Sequence, residues 1–347
     1  MEQLVIGIRA DGNAKIGMGH LMRCLSVAIA LKENKIEVIF IVKNTQSGSF
    51  VGEKGFTCLQ LTGQYATMEA EVAETLELLA EHHVNLLLID SYQATEYYLE
   101  QINAVIPVFY MDDLGRMALP VSGIINYNIY VQDMGYERYY PEDVALLLGS
   151  KYAPVKPEFR STPYQVRTEV RNILVTMGGS DFLNIAGQLG ALLLELLPEH
   201  VHITLICGRF SPLLEAVQAL SAENARLQVL TDVSDMWNQM AKCDIAIAAA
   251  GSTMYELCTM GVPTVCCYYV ENQHRAAEGF AVQTSMINAG DFSKNPEMVL
   301  GLIAEKTREL LADFTLRRQL STEMRAVSDG KGSLRIAQKL CDYLKIH

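Results

Sequence analysis

The run NLLLID, residues 85–90, has the length of a strand and no polar face to show to water. Such a segment must be covered on both sides, and the usual solution is a parallel sheet with crossover helices packed on each face. The same texture recurs in LVIGIRA, EVIFIV and PVFYMDD, and later in RNILVTMGG, HITLICG, RLQVLT, DIAIAAAG and PTVCCYY. Between these runs lie stretches of helical period: GHLMRCLSVAIALKE, residues 69–83, TEYYLEQINAV, residues 184–197, a segment after Pro212, one through Trp237, and residues 253–260. Strand and helix in alternation predict an α/β chain of doubly wound units.

The alternation breaks once, at GSKYAPVKPEFRSTPYQVRTEV (residues 149–170), which carries three prolines, mixed charge and little periodicity. A chain of 347 residues is long enough for two cores. The expected organisation is a first Rossmann-like domain at 1–150, an interdomain segment at 151–170, a second Rossmann-like domain at 171–330, and a C-terminal helix at 331–347. The turn-like SDGKGS (328–333) interrupts an otherwise helical tail.

Charge narrows the function. With 28 basic and 40 acidic side chains the formal net charge is −12, which gives no general attraction for nucleic acid or an anionic membrane surface. No run approaches the roughly 20 apolar residues of a membrane span, so no stable membrane insertion is expected. MEQLVIGIRAD lacks the basic start and apolar core of a signal peptide, so a cytoplasmic location is expected. The eight cysteines form no C-x-x-C pair and read as reduced, mostly buried thiols. A phosphate ligand would have to be held locally, by backbone amides and a few side chains.

In open parallel sheets ligands collect where strands end and helices begin. After the first strand comes IGMGHLMRC, in which Gly17 and Gly19 permit a sharp turn or close approach to a ligand, and His20 opens a helix. The positive helix end disfavours imidazolium, a setting for a general base, or His20 simply packs the helix start. Arg9 and Asp11 before the loop and Arg23 after it add an acid to orient the ring and a guanidinium to hold an anion. The loop has neither the third glycine of a dinucleotide fingerprint nor the lysine of a P-loop. Further strand ends carry Asp90, Ser91 and Tyr92, then Asp112 and Asp113, then Asn126 and Asn128. Tyr92 is placed to donate to a substrate or to cap the core.

In the second half, Gly178, Gly179, Ser180 and Asp181 stand between a strand and a helix, where freed amides make an anion site or Asp181 caps the helix. Gly251, Ser252 and Thr253 repeat that pattern. Glu256, one turn in, is positioned to accept from a ribose diol or to complement the helix dipole. Asn272 and Gln273 follow the next strand, in VENQH.

Together, IGMGHLMR, IDSY, MDD, MGGSD, AGSTMYEL and ENQ resemble, in order and over nearly the whole chain, the UDP-sugar hydrolases of pseudaminic acid biosynthesis, which are similar in fold to the GlcNAc transferase of peptidoglycan synthesis. The resemblance implies a GT-B fold, two facing Rossmann-like domains with a cleft. It implies an enzyme that replaces UDP by water at the anomeric carbon of a diacetamido-trideoxy-altrose, with inversion and without cofactor or metal. It makes His20 the base, Tyr92 and Asn272 neighbours of the sugar and phosphates, and Glu256 the ribose ligand. The GGSD and GST turns would hold the diphosphate. Two other readings stay open: a GT-B glycosyltransferase that passes the sugar to an alcohol or lipid, and a nucleotide-sugar binding subunit that relies on a partner for chemistry.

Overall fold

The computed structural model describes residues 4–12, 18–115, 118–178, 181–208, 214–231 and 233–346. They divide into two compact units, residues 1–156 with 331–347, and residues 157–330.

The first unit runs β1 (Val5–Ala10), α1 (Gly19–Glu33), β2 (Glu37–Val42), α2 (Thr45–Glu53), β3 (Thr57–Gln60), α3 (Val72–Glu81), β4 (Leu86–Asp90), α4 (Glu96–Asn103), β5 (Val108–Met111), β6 (Gly123–Asn126) and β7 (Ala145–Leu148). All pairs are parallel, in the order β3-β2-β1-β4-β5-β6-β7. Every residue of β1 and β4 is buried, as their aliphatic texture requires. Each of Leu86, Leu87, Leu88 and Ile89 is fully excluded from water, worth about 1.5–3 kcal/mol apiece as an upper estimate.

The second unit runs α5 (Pro157–Ser161), β8 (Asn172–Thr176), α6 (Ile185–Leu196), β9 (His202–Cys207), α7 (Leu214–Glu223), β10 (Leu227–Thr231), α8 (Met236–Lys242), β11 (Ile245–Ala249), α9 (Thr253–Met260), β12 (Thr264–Tyr268), α10 (Glu271–Gln283), β13 (Ile287–Asp291), α11 (Pro296–Ala312) and α12 (Phe314–Val327). Its parallel sheet has the order β10-β9-β8-β11-β12-β13. Both sheets therefore reverse direction of growth beside their first strand, at β1/β4 and at β8/β11. In an open parallel sheet this is where the crevice for a ligand opens.

The proline-bearing segment is shared out. Residues 151–156 go with the first unit, and 157–170 are pinned to the second. Asp244, just ahead of β11, takes Arg167 Nη1 at 2.7 Å and the backbone amides of Arg171 and Asn172 at 2.8 and 2.9 Å. The buried Arg317 of α12 donates to the carbonyls of Arg167 and Thr168.

α13 (Gly332–Ile346) returns to the first unit and packs on α1. Tyr343 meets the ring of Phe109 edge-on at 5.2 Å. The helix can seat only because its first residue is glycine: a Cβ on Gly332 would stand 2.0 Å from the carbonyl oxygen of Ala153. No helix among the described residues is long and apolar enough to cross a membrane.

Candidate active site

The switch point of the first sheet brings the start of α1 to the end of β4. His20, the second residue of α1, is 8% exposed, and its Nδ1 lies 2.6 Å from Oδ1 of Asp90, the last residue of β4. Arg23 shares the helix face with His20 through i,i+3 spacing. It clasps the same carboxylate with Nε to Oδ2 at 2.5 Å and Nη2 to Oδ1 at 2.6 Å. Its remaining nitrogen, Nη1, donates to Asp113 Oδ2 and to the Tyr127 hydroxyl, each at 2.7 Å. The Tyr92 hydroxyl donates to the same Asp113 oxygen at 3.0 Å. The Tyr92 ring is about half exposed and stands edge-on to His20, centroids 4.5 Å apart at 84°.

The charges are fixed by this geometry. Burial pushes the Asp90 carboxyl up, but the Arg23 charge and the hydrogen bonds from Arg23 and His20 outweigh it and hold the group well below the usual carboxylate range. Burial lowers and the carboxylates of Asp113 and Asp90 raise the Arg23 guanidinium, with the carboxylates prevailing, so it stays cationic. Burial, followed by the Asp113 charge, pushes the Tyr92 phenol up. The Tyr127 phenol is raised by burial and by Asp113 against the opposing charge of Arg23. Both remain protonated.

An ionised carboxylate only accepts hydrogen bonds. His20 Nδ1 must therefore carry the proton it gives to Asp90, and in the neutral ring the lone pair sits on Nε2. Arg23 Nη2 lies 3.2 Å from Nδ1 but does not donate there, since a protonated Nδ1 has no lone pair to accept, and its bond goes to Asp90. An imidazole oriented by a buried acid, with Nε2 basic, can take a proton from water or an alcohol.

In the second unit, α6, α9 and α10 start after the adjacent strands β8, β11 and β12. Gly178 adopts φ +84°, a conformation that favours glycine. Asp181 is buried, and its two oxygens accept from the amides of Ile185 and Ala186 at 2.8 and 2.9 Å. The N-terminus of α6 is thus filled by the protein's own carboxylate, so those amides are not offered to a phosphate. The start of α9 differs. Gly251, Ser252 and Thr253 lead into it with no side-chain cap, and Glu256 is partly buried in its first turn. Asn272 is exposed at the start of α10, while Gln273 Oε1 accepts from the Tyr269 amide at 3.3 Å. The Tyr269 hydroxyl donates to the Met177 carbonyl at 2.7 Å, tying the ends of β12 and β8.

Several expectations are corrected. Asp11 does not orient His20: it pairs with Arg9 and accepts from the Lys43 amide at 2.8 Å and Asn44 Nδ2 at 3.1 Å. Arg9 is 2% exposed and forked onto the fully buried Glu71, so its guanidinium is committed to the protein and not to a ligand. Arg23 does hold anions, but they are the carboxylates of Asp90 and Asp113. Gly19 is the exposed first residue of α1. Gly17, Gly179 and Ser180 lie outside the described residues. Asp90 is the residue that sequence reasoning passed over as the partner of His20. The signal was its place at the end of the strand that becomes the neighbour of β1.

Two parallel, doubly wound α/β units with strand orders 3-2-1-4-5-6-7 and 3-2-1-4-5-6 define a GT-B fold. MurG of Acinetobacter baumannii superposes with a TM-score of 0.68 at 16% identity, covering 98% of this chain and 100% of that one. Among characterised sequences, the spore coat polysaccharide biosynthesis protein SpsG of Bacillus subtilis is 27% identical over 347 residues, 97% of this chain and 98% of SpsG. The UDP-2,4-diacetamido-2,4,6-trideoxy-beta-L-altropyranose hydrolase of Campylobacter jejuni is 22% identical over 275 residues, 79% of this chain and 94% of the hydrolase. The resemblance to the hydrolase expected from the motifs is thereby found over 79% of the chain. No protein-family model matches the chain.

Proposed function

We propose that the chain hydrolyses a UDP-linked diacetamido-trideoxy sugar to UDP and free sugar, as a step of pseudaminic acid biosynthesis in the cytoplasm. The observation that carries this reading is the His20–Asp90 pair at the switch point of the first unit, with a neutral phenol, Tyr92, standing against the imidazole. The similarity to the Campylobacter hydrolase supplies the substrate class.

In this reading His20 Nε2 removes a proton from water as the water oxygen bonds to the anomeric carbon. The bond from that carbon to the UDP oxygen breaks, and its electron pair leaves with UDP. One displacement of this kind inverts the anomeric centre, and a leaving group as good as UDP requires neither metal nor cofactor. Tyr92 and Asn272 attend the sugar and phosphates. The start of α9, at Gly251, Ser252 and Thr253, which no side chain caps, receives the diphosphate, since the positive end of a helix favours an anion. Glu256 accepts from the ribose.

The test is incubation of the purified chain with a panel of UDP-amino sugars, following UDP and the anomer of the released sugar. His20→Ala should lower kcat by about 100- to 10,000-fold, the usual worth of a placed base, and Glu256→Ala should raise KM by about tenfold through a lost charged hydrogen bond. Unimpaired release by His20→Ala would remove His20 as the base. Release only on addition of an alcohol would make the chain a transferase, and UDP-sugar binding without release would make it a binding subunit.

A further inference from the structure

Asp113 is the acid of this cluster that the reaction above leaves without a task. Its Oδ2 gathers two donors from different elements, Arg23 Nη1 at 2.7 Å and the Tyr92 hydroxyl at 3.0 Å. Its Oδ1 is buried without a hydrogen-bond partner. An unpaired buried carboxylate oxygen costs stability, so a side chain selected for folding alone would not leave one there. What Asp113 supplies instead is charge, delivered through Arg23 to Asp90 and so to His20.

We infer that Asp113 is a positioning residue that acts on His20 through Arg23, setting the charge around the imidazole and holding Tyr92 against it. Among the described residues, the groups gathered around the ring and its acid are Arg23 and Cys24 from α1, Asp90 from β4, and Tyr92 just beyond it. Asp113 beyond β5 and Tyr127 beyond β6 join them through Arg23. The thiol and the two phenols are neutral, because burial pushes all three up. Among the described residues the charged set is therefore one guanidinium against two carboxylates. Asp113 supplies one of these two negative charges, joined to Asp90 through Arg23, and neutralising it reduces the set to the Arg23–Asp90 pair.

The functional meaning rests on His20 being the base, but the electrostatic claim can be read without substrate. In the full chain, the His20 ring is titrated by NMR in the wild type, in Asp113→Asn and in Tyr127→Phe. Asp113→Asn should move the ring titration to lower pH by on the order of half a pH unit or more. The acid limb of kcat/KM should move in the same direction. Tyr127→Phe, which removes another acceptor from the same Arg23 nitrogen without changing charge, should leave the titration in place. An unmoved titration in Asp113→Asn, or an equal movement in both variants, overturns the inference. Asp113→Ser gives the same readout should the amide variant fail to fold. Absence of UDP release by the wild type would count against the hydrolase reading alone and would leave the titration result standing.

Discussion

Replacing Asp90 by asparagine changes one atom, and the structure says why that atom matters. Oδ1 accepts from His20 and from Arg23 Nη2, while Oδ2 accepts from Arg23 Nε. An amide has one acceptor oxygen and one donor nitrogen. With its oxygen toward His20, its NH2 group confronts the Nε–H of Arg23. With its oxygen toward Nε, the NH2 group confronts Nη2 and donates to His20 Nδ1, which moves the ring proton to Nε2 and abolishes the base. Either orientation sets donor against donor at a buried guanidinium. Losing the base function is worth about 3–5 kcal/mol, so kcat should fall by about 100- to 10,000-fold with a smaller change in KM. Breaking a buried pair costs about 3–5 kcal/mol. At about 2–4 °C per kcal/mol for a unit of this size, the melting temperature should drop by about 6–20 °C. The folded Asp90 titrates well below its unfolded value near pH 4, so its contribution is present above about pH 4 and is lost only as the pH falls through the depressed value. Protonation of Asp90 itself should therefore not shrink the deficit of the variant between pH 7.5 and pH 5.5. UDP release and thermal melting are the two assays. A variant within about threefold of wild-type kcat and with an unchanged melting temperature would refute the tautomer argument.

Two further outcomes test the frame that carries the site. Gly332→Ala would gain up to about 1 kcal/mol in an open helix, but here the new methyl meets the backbone of Ala153 at 2.0–2.6 Å, so a net loss of about 3 kcal/mol or more is expected on melting. A raised melting temperature would contradict it. Glu74 is held down to about 2 by the backbone amide and then the hydroxyl of Thr62, both at 2.7 Å, so its contribution is present above about pH 4.5 and disappears as the pH falls through about 2. Urea midpoints of Glu74→Gln should accordingly change less with pH than the wild type between pH 4.5 and 2, and parallel curves would show that the contacts carry no pH dependence.

What could be read from the sequence was local. NLLLID and VIGIRA announce buried strands because a strand without a polar face has only one kind of environment, and GMGH ahead of an amphipathic run marks where α1 starts. The partner of His20 was not local. Asp11 is the nearer acid along the chain, whereas Asp90 becomes adjacent only because the sheet places β4 beside β1. The same limit applies to Arg9 and Arg23, whose charges look available until Glu71, Asp90 and Asp113 arrive from distant segments. Asp181 shows a different ambiguity. A carboxylate and a bound phosphate satisfy the same helix amides, so GGSD is compatible with either until the distances to Ile185 and Ala186 are known. Likewise SDGKGS marks where a helix must restart, but not that α13 goes back to the first unit.

That return has a consequence during synthesis. Residues 331–346 emerge from the ribosome only after the whole of 157–330 has been made, so the later unit can be complete while the earlier one still lacks its closing helix. Until α13 docks, the apolar side of α1 and the ring of Phe109 remain open to solvent or to a chaperone. The helix bearing His20 is thus covered only after the second unit has been made.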